Sequence, residues 1–179
     1  MPSPIAHLTA AYVAQRIGLA RAPAPEAEAP QFAKQLLVTA AAFSMLPDVD
    51  AVAGVLAGDF GGYHNEGTHS LLVGAGVSLA FAGLMAWRRR SFLFWFLVAA
   101  GCYGAHVLMD ASTPGRGVLA AWPLSDRRFD FPLTIFYGLH WSDGLISVRH
   151  VWTVLSELLF VGVVGVLLAV VGGRTKGGS

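Results

Sequence analysis

Three long apolar stretches constrain this chain more than any other feature of its sequence. Residues 70–87, 92–109 and 151–171 each approach the ~20 apolar residues that a helix needs to cross a hydrocarbon core ~30 Å thick, and Glu157 is the only Asp, Glu, Lys or Arg residue in them. Lipid offers backbone N–H and C=O groups no water to bond, so a single segment crosses as a helix. The stretches therefore predict three membrane-spanning helices.

Two further helices are predicted in the N-terminal third. Residues 5–20 and 32–46 are rich in alanine and are separated by a Pro/Ala/Glu stretch that cannot form a regular helix interior. At ~1.5 Å per residue each reaches only ~24 Å, which fits a short or tilted span or a helical hairpin packed on the others. We interpret both as short membrane helices. Because Arg16 interrupts the first and no basic residue precedes it, the segment is a poor secretory signal and is expected to remain.

The predicted fold is thus all-α: an integral membrane bundle of about five helices, forming one domain over residues 1–179. Hydrophobic residues make up 55% of the chain and charged residues 13%, about half the charged fraction usual in soluble domains. A net charge of +1 gives no electrostatic basis for binding nucleic acid. The single cysteine, Cys102, excludes an intrachain disulfide and a cysteine-rich zinc site.

Basic residues are distributed unevenly between the two ends of this bundle. Eight of the twelve Lys and Arg residues fall at or towards one end, and the other end has Arg116, Arg127, Arg128 and Arg149. The positive-inside rule then predicts that the C-terminus and the turn at 88–90 are cytoplasmic. The opposite, outer end carries the candidate chemistry.

Histidines and aspartates collect at helix ends on that outer end: His7, Asp48, Asp50, His64, His69, His106 and Asp110. His106 and Asp110 are four residues apart and share one helix face. Asp48 and Asp50 follow Pro47 and point the same way if the chain is extended there. Mixed imidazole and carboxylate ligands suit zinc, manganese or iron, and the number of candidates indicates two ions.

Each of these side chains, taken alone, also fits a simpler role. A single histidine or aspartate at a membrane interface is commonly a polar interface group or a helix cap, as Asp48 would be at the end of its helix. A charged group at the end of an apolar span is costly to bury, which strengthens His106 and Asp110 as ligands. The convergence of four separate stretches on one end favours metal binding over coincidence.

The same residues carry a family resemblance. The order of the motifs resembles that of the YdjM family of membrane-bound, metal-dependent hydrolases: His7, Leu-Pro-Asp-Val-Asp at 46–50, His64 with Gly-Thr-His-Ser at 67–70, His106 with Asp110 and Thr-Pro at 113–114, and Trp-Pro-Leu at 122–124. The resemblance covers most of residues 5–128 and is specific in combination. It implies a multi-pass protein of the bacterial inner membrane, a metal site built from these histidines and aspartates, and hydrolytic activity.

Two positions depart from the family pattern. Ala51 stands where the family often has a further histidine, and Asn65 stands where it has an arginine after the first histidine of the motif. A metal ligand or an anion contact is therefore missing or supplied from elsewhere. His140 and His150 are weak candidates to replace it.

Hydrolysis is the reaction that bound metal ions serve most directly, because a cation lowers the pKa of bound water towards ~7 and stabilises charge on a phosphoryl or carbonyl oxygen. Ser70 lacks the context of a nucleophile elbow and is predicted to cap the helix that follows, with Thr68 as a rival cap. The predicted nucleophile is therefore metal-bound hydroxide. Asp48 or Glu66 would act as general base, although Glu66 fits a solvated surface role equally well.

A site at the membrane surface favours a lipid or other amphiphile with a phosphorylated head as substrate. Arg116, Arg127 and Arg128 are predicted to bind the phosphate, or instead to pair with Asp126 and Asp130 or with lipid headgroups. The rival class is a non-catalytic metal-binding protein, either a transporter or a regulatory subunit. A transporter would place ionisable residues at mid-membrane on broken helices. Here they gather at helix ends, and this distribution favours an enzyme. A peptidase or amidase leaves the loop arginines unexplained.

The loop at 111–150 is long and rich in aromatic residues, and Pro123 and Pro132 interrupt it. It is predicted to lie along the outer membrane interface, as an aromatic anchor or as a lid over the site. Its aromatic residues include Trp122, Phe129, Phe131, Phe136, Tyr137 and Trp141.

Overall fold

The fold is all-helical, as predicted. The computed structural model describes residues 2–21, 29–59, 62–139 and 147–176. Its helices are α1 (Pro4–Arg21), α2 (Ala29–Met45), α3 (Val49–Ala57), α4 (Leu71–Trp87), α5 (Phe92–Ala111) and α6 (His150–Lys176). A 3-10 turn, Leu46–Asp48, joins α2 to α3, so these two helices form one bent rod and the described residues form five rods. The only strand-like pairing among them is an isolated bridge between Val118 and Phe129.

Three of these rods are long and apolar enough to cross a membrane. They cover Pro30–Ala57, Phe92–Ala111 and His150–Val171, whereas Leu71–Trp87 is a shorter apolar helix. The last two spans agree with the sequence prediction. The first does not, because the helix predicted to end near residue 46 continues into α3, and α4, with 17 residues, is shorter than a full span.

The chain bends at the 3-10 turn that contains Pro47 and is not extended there, so the condition under which Asp48 and Asp50 would point the same way is not met. Pro47 lies at the start of the 3-10 turn, where its missing N–H leaves no helical hydrogen bond unmade. Helix α3 then begins at Val49 and ends at Ala57, and Gly58 caps it in a left-handed conformation with φ of 73°. Both aspartates are buried by this bend.

Helix α5 is the centre of the bundle and packs against α1, α2 and α4. Its Trp95, Cys102 and Tyr103 belong to the main hydrophobic core. At Gly74, a Cβ atom would lie 2.4 Å from Cδ1 of Tyr103, so α4 and α5 approach each other more closely than a side chain would allow. The Tyr103 hydroxyl donates a hydrogen bond to the carbonyl oxygen of Thr68, which fixes the segment before α4 to α5.

Helix α6 packs on α1, and most of its side chains face outward. Its Glu157 is fully buried. The carboxylate accepts hydrogen bonds from the backbone N–H of Ser3, at 2.5 Å, and from the Ser3 hydroxyl. This contact ties the beginning of α1 to α6 and gives the buried carboxylate the partners that it needs in an apolar helix.

The segment after α5 folds back over the end of the bundle. Ile135 donates its backbone N–H to the carbonyl oxygen of Ser112 at 2.9 Å, and Phe136 is buried against Phe160. The other described aromatic residues of this loop remain partly exposed, and Trp141 lies outside the described residues. The anchor and lid roles of the loop stay predictions.

Candidate metal centre

The seven histidines and aspartates predicted as ligands meet in one buried cluster at one end of the bundle. Helix α1 supplies the first, the bend between α2 and α3 supplies two, the segment before α4 supplies two, and the end of α5 supplies two. They are His7, Asp48, Asp50, His64, His69, His106 and Asp110. Four separate stretches of sequence therefore contribute to one site.

Four of these residues offer one ligand atom each within 4.8 Å of one another: Asp48, His64, His69 and Asp110. Nε2 of His64 lies 3.0 Å from Oδ2 of Asp110, and Nε2 of His69 lies 3.2 Å from the same oxygen. Oδ1 of Asp48 lies 3.9 Å from Nε2 of His69. This first group is a mixed set of imidazole and carboxylate donors facing one point, as a transition-metal site requires.

A second group consists of His7, His106 and Asp110, whose ligand atoms also lie within 4.8 Å of one another. Nε2 of His7 is 3.4 Å from Oδ1 of Asp110. The rings of His7 and His106 stack with centroids 3.8 Å apart. Asp110 belongs to both groups, since Oδ2 faces the first group and Oδ1 faces His7.

A hydrogen bond on the side of the ring away from the cluster orients one histidine of each group, His106 of the second and His69 of the first. Nδ1 of His106 lies 2.6 Å from the carbonyl oxygen of Ser44, which can only accept, so this nitrogen donates. Nδ1 of His69 lies 3.0 Å from Oδ2 of Asp50. Each ring then turns Nε2 towards the cluster, the arrangement typical of metal-binding histidines.

Asp50 has a different environment from the other carboxylates. Nδ1 of His64 lies 3.1 Å from its Oδ1, Nδ1 of His69 lies 3.0 Å from its Oδ2, and Thr68 donates its hydroxyl to Oδ2 at 2.5 Å. With both oxygens engaged in this way, Asp50 belongs to neither ligand group. Its contacts are those of a residue that orients ligands.

Several polar atoms of the cluster lack hydrogen-bond partners among the described residues. They are Nδ1 of His7 and both carboxylate oxygens of Asp48, while Nε2 of His7 and Oδ1 of Asp110 have only their long contact with each other, at 3.4 Å. Nε2 of His69 and Nε2 of His106 also face each other at 3.1 Å, where two lone pairs repel unless a proton or a cation lies between them. Buried carboxylate oxygens without partners are costly, and a cation removes that cost. The donor set therefore fits a divalent metal ion.

The protonation of two histidines in the metal-free protein also indicates that the cluster attracts positive charge. Burial lowers the pKa of His69, but its contacts with Asp110 and Asp50 more than offset this and raise the pKa to about 9. The pKa of His64 is also raised, since hydrogen bonds to Asp110 and Asp50 outweigh its burial. The surrounding carboxylates therefore favour positive charge in the cluster.

Two arginines hold the loop that carries His64. Arg128 contacts Oε1 of Glu66 at 2.6 Å and donates to the carbonyl oxygen of Asn65 at 3.2 Å. Arg116 contacts the same Glu66 oxygen at 3.3 Å and donates to the carbonyl oxygens of Gly62 and His64. These contacts hold the backbone of residues 62–66 in place next to the cluster.

The remaining predicted residues lie apart from the cluster or outside the described chain. Arg127 is exposed, and its described hydrogen bond runs from its backbone N–H to Ser125. His150 begins α6 and belongs to neither ligand group, and His140 lies outside the described residues. Ser70 caps α4, as predicted, by accepting hydrogen bonds from Leu72 and Val73.

The cluster and its helical frame define a class: a multi-helix membrane protein with a buried histidine and aspartate site that could hold metal. Within that class, the chain matches the family described as YdjM inner membrane protein over residues 1–177, and it belongs to this family. It is 30% identical over 140 residues to the inner membrane protein YbcI of Escherichia coli (strain K12), a match that covers 75% of this chain and 80% of that protein. No solved structure matches the chain. The chain is therefore an inner membrane protein with several candidate spans.

Proposed function

We propose that this protein is a membrane-bound, metal-dependent hydrolase whose histidines and aspartates would hold two divalent ions, with Asp110 contributing to both sites. The observation that carries the proposal is the position of the Asp110 carboxylate, whose two oxygens face different donor groups. One ion would be held by Asp48, His64, His69 and Asp110, the other by His7, His106 and Asp110. Two neighbouring metal ions are the arrangement that many phosphatases and nucleases use.

Zinc is the ion we expect, with manganese or iron as alternatives. Imidazole and carboxylate ligands together suit all three, and four histidines favour zinc over magnesium or calcium. When bound, such an ion supplies a hydroxide near neutral pH and stabilises charge that develops on a phosphoryl oxygen.

The residues of the chain would divide the remaining tasks. Asp50 was predicted as a ligand, but its hydrogen bonds to His64, His69 and Thr68 support a positioning role. Asp48 would hold the ion through Oδ1, the oxygen that faces His64, His69 and His106. Its Oδ2 is then left as the general base, and we favour it over Glu66. Both Asp48 oxygens lack hydrogen-bond partners within the described residues, whereas two guanidinium groups contact Glu66 and proton transfer there would compete with those contacts.

The substrate class we propose is a phosphoester of a lipid or another amphiphile. The cluster lies at one end of apolar helices, where a head group would lie while its tail remains in the membrane. Arg116 and Arg128, in the loop after α5, donate hydrogen bonds to backbone carbonyl oxygens of the segment that carries His64, and guanidinium groups suit phosphate oxygens. On the positive-inside rule this end faces outward and the C-terminus lies in the cytoplasm.

Phosphate release from a panel of phosphorylated lipids tests the proposal. Purified full-length protein, loaded with zinc, manganese or iron, should release phosphate from at least one lipid, and a chelator should abolish the release. Asp110→Asn should lower the rate by at least ~100-fold, given that ligand and electrostatic losses in active sites cost this much, while Arg127→Ala should retain it. Bound metal without release from any lipid would contradict catalysis and favour the non-catalytic metal-binding alternative.

A further inference from the structure

A groove of about 720 Å³ runs along α5 between α1 and α6. Its volume falls within the ~300–1,000 Å³ typical of small-molecule sites. Arg21 and Phe94 line it at one end, and Ser112 and Phe136 line it at the other. Along α5 the lining residues extend from 94 to 112, a length of ~27 Å at ~1.5 Å per residue. The groove therefore follows most of the length of the bundle.

The walls of the groove show which environment it faces. Both α5 and α6 are candidate membrane spans, and apolar side chains make up nearly the whole lining. Arg21, in the last turn of α1, is the only charged residue among the described residues that line it. In a membrane such a surface opens to hydrocarbon along its length and meets phosphate groups at the Arg21 end.

The groove is separate from the candidate metal centre. None of the seven clustered histidines and aspartates lines it. Met109 and Phe136 pack with Ala6 at the end nearest the cluster, and His7 and Asp110 are 0% and 2% exposed. A molecule in the groove therefore does not touch the predicted ligands.

We propose that one acyl chain of an anionic phospholipid occupies this groove, with its phosphate bound to Arg21. A helix ~10 Å across lying along the same ~27 Å would need roughly 2,000 Å³, so the groove is too small for a helix from a second copy and suits a single hydrocarbon chain. The guanidinium group of Arg21 binds phosphate oxygens in a bidentate manner. The site fixes a lipid between α1 and α6, two helices that otherwise share few contacts.

Lipid retention by matched variants tests this proposal. Full-length protein is reconstituted into vesicles of equal parts phosphatidylglycerol and phosphatidylcholine, extracted in mild detergent and examined by native mass spectrometry. Gly101→Phe fills the groove, since a Cβ at Gly101 meets no atom within 4 Å. Gly83→Phe is its control, because Gly83 is equally open and lies on α4 away from the groove. Arg21→Gln removes the phosphate contact, and Arg16→Gln is its control on the same helix.

Wild type and both controls should retain one lipid, with phosphatidylglycerol preferred about fivefold, the effect expected of one basic residue near lipid phosphate. Gly101→Phe should lose the bound lipid, and Arg21→Gln should lose the preference, both with unchanged metal content. Retention by Gly101→Phe equal to wild type, no retained lipid in wild type, or an unchanged preference in Arg21→Gln would overturn the proposal. So would a change of oligomeric state in Gly101→Phe, which would identify a second copy as the occupant. If Gly101→Phe does not fold, the preference of Arg21→Gln decides.

Discussion

His106 donates its Nδ1 hydrogen to the carbonyl oxygen of Ser44, at 2.6 Å. Ser44 lies in the last turn of α2, where carbonyl groups have no partner within the helix. The end of one helix thus fixes the tautomer of a histidine on another, and Nε2 of His106 is left to face Oδ1 of Asp48 at 3.5 Å. The 3-10 turn after Met45 ends α2 beside the cluster, which leaves the Ser44 carbonyl oxygen free to accept this hydrogen bond. The bend and the site therefore depend on each other.

The first prediction separates orientation from ligation at Asp50. Asp50→Asn should weaken metal binding by ~10–100-fold, the usual effect of losing a partner that orients ligating histidines, while the amount bound at saturating metal stays the same. Competition against a chromophoric chelator measures this affinity. Asp126→Asn, an exposed change in the loop, is the control. Loss of an ion at saturation would instead identify Asp50 as the ligand that the sequence predicted.

The second prediction concerns pH. In the metal-free protein the pKa of His69 is about 9, above the ~6.5 of an unfolded histidine. Its protonation therefore stabilises the fold below pH ~6.5, and this contribution is lost as pH rises to about 9. The Tm of metal-free protein should fall over that range. Zinc affinity should rise over the same range, because the ion displaces the proton. A Tm independent of pH, together with a pH-independent affinity, would show that His69 carries no such proton.

The helices could be predicted from the sequence because length, apolar composition and caps are local properties. Residues 92–109 and 151–171 correspond closely to α5 and α6, and Ser70 caps α4 as expected. Helix α3 could not be predicted, because Pro47 ends a helix in most contexts and here sits at the first turn of a new one. The packing of the two aspartates against α5 and against the segment before α4 favours this bend.

The residues of the candidate site could also be predicted from the sequence, but their division into ligands and orienting residues could not. His7 and Asp110 lie near helix ends at one side of the bundle, and His69 lies just before α4 on that side, so their convergence on Asp110 could be expected from the order of the helices. The separate environment of Asp50 depends on the 3-10 turns before α3 and α4, and such short turns produce no periodic pattern in the sequence. Likewise, the contacts of Arg116 and Arg128 with Glu66 depend on loop positions, so residue type alone could not distinguish them from Arg127.

The third prediction concerns the loop over the cluster. Arg128 and Glu66 are 29% and 38% exposed, so their ion pair is screened and contributes about 1 kcal/mol or less to stability. Arg128→Ala should therefore leave global unfolding almost unchanged but increase amide hydrogen exchange locally at 62–66, where the arginine holds Asn65. Arg127→Ala should match wild type. Equal exchange in both variants would show that Arg128 does not hold the loop.

The fourth prediction concerns the link between α6 and α1. Ser3 lies one turn before His7, and Glu157 accepts both its hydrogen bonds. Glu157→Leu leaves the Ser3 N–H and hydroxyl without partners, at a cost of roughly 1–3 kcal/mol, and frees the beginning of α1. Metal held by His7 should then be lost before metal held by His64 and His69. Leu158→Ala, on the exposed side of the same helix, is the control. Full metal content in Glu157→Leu would contradict this link.

If Asp110 contributes to two metal sites, as we propose, the metal content of purified protein shows it most directly. After exposure to zinc and removal of free metal, wild type should carry two ions per chain by inductively coupled plasma mass spectrometry. His7→Gln should carry one ion. Asp110→Asn should carry fewer than one, because asparagine keeps the size of the side chain but removes the carboxylate that both groups share. Two ions retained by Asp110→Asn, or none bound by wild type after exposure to zinc, manganese and iron, would contradict the account.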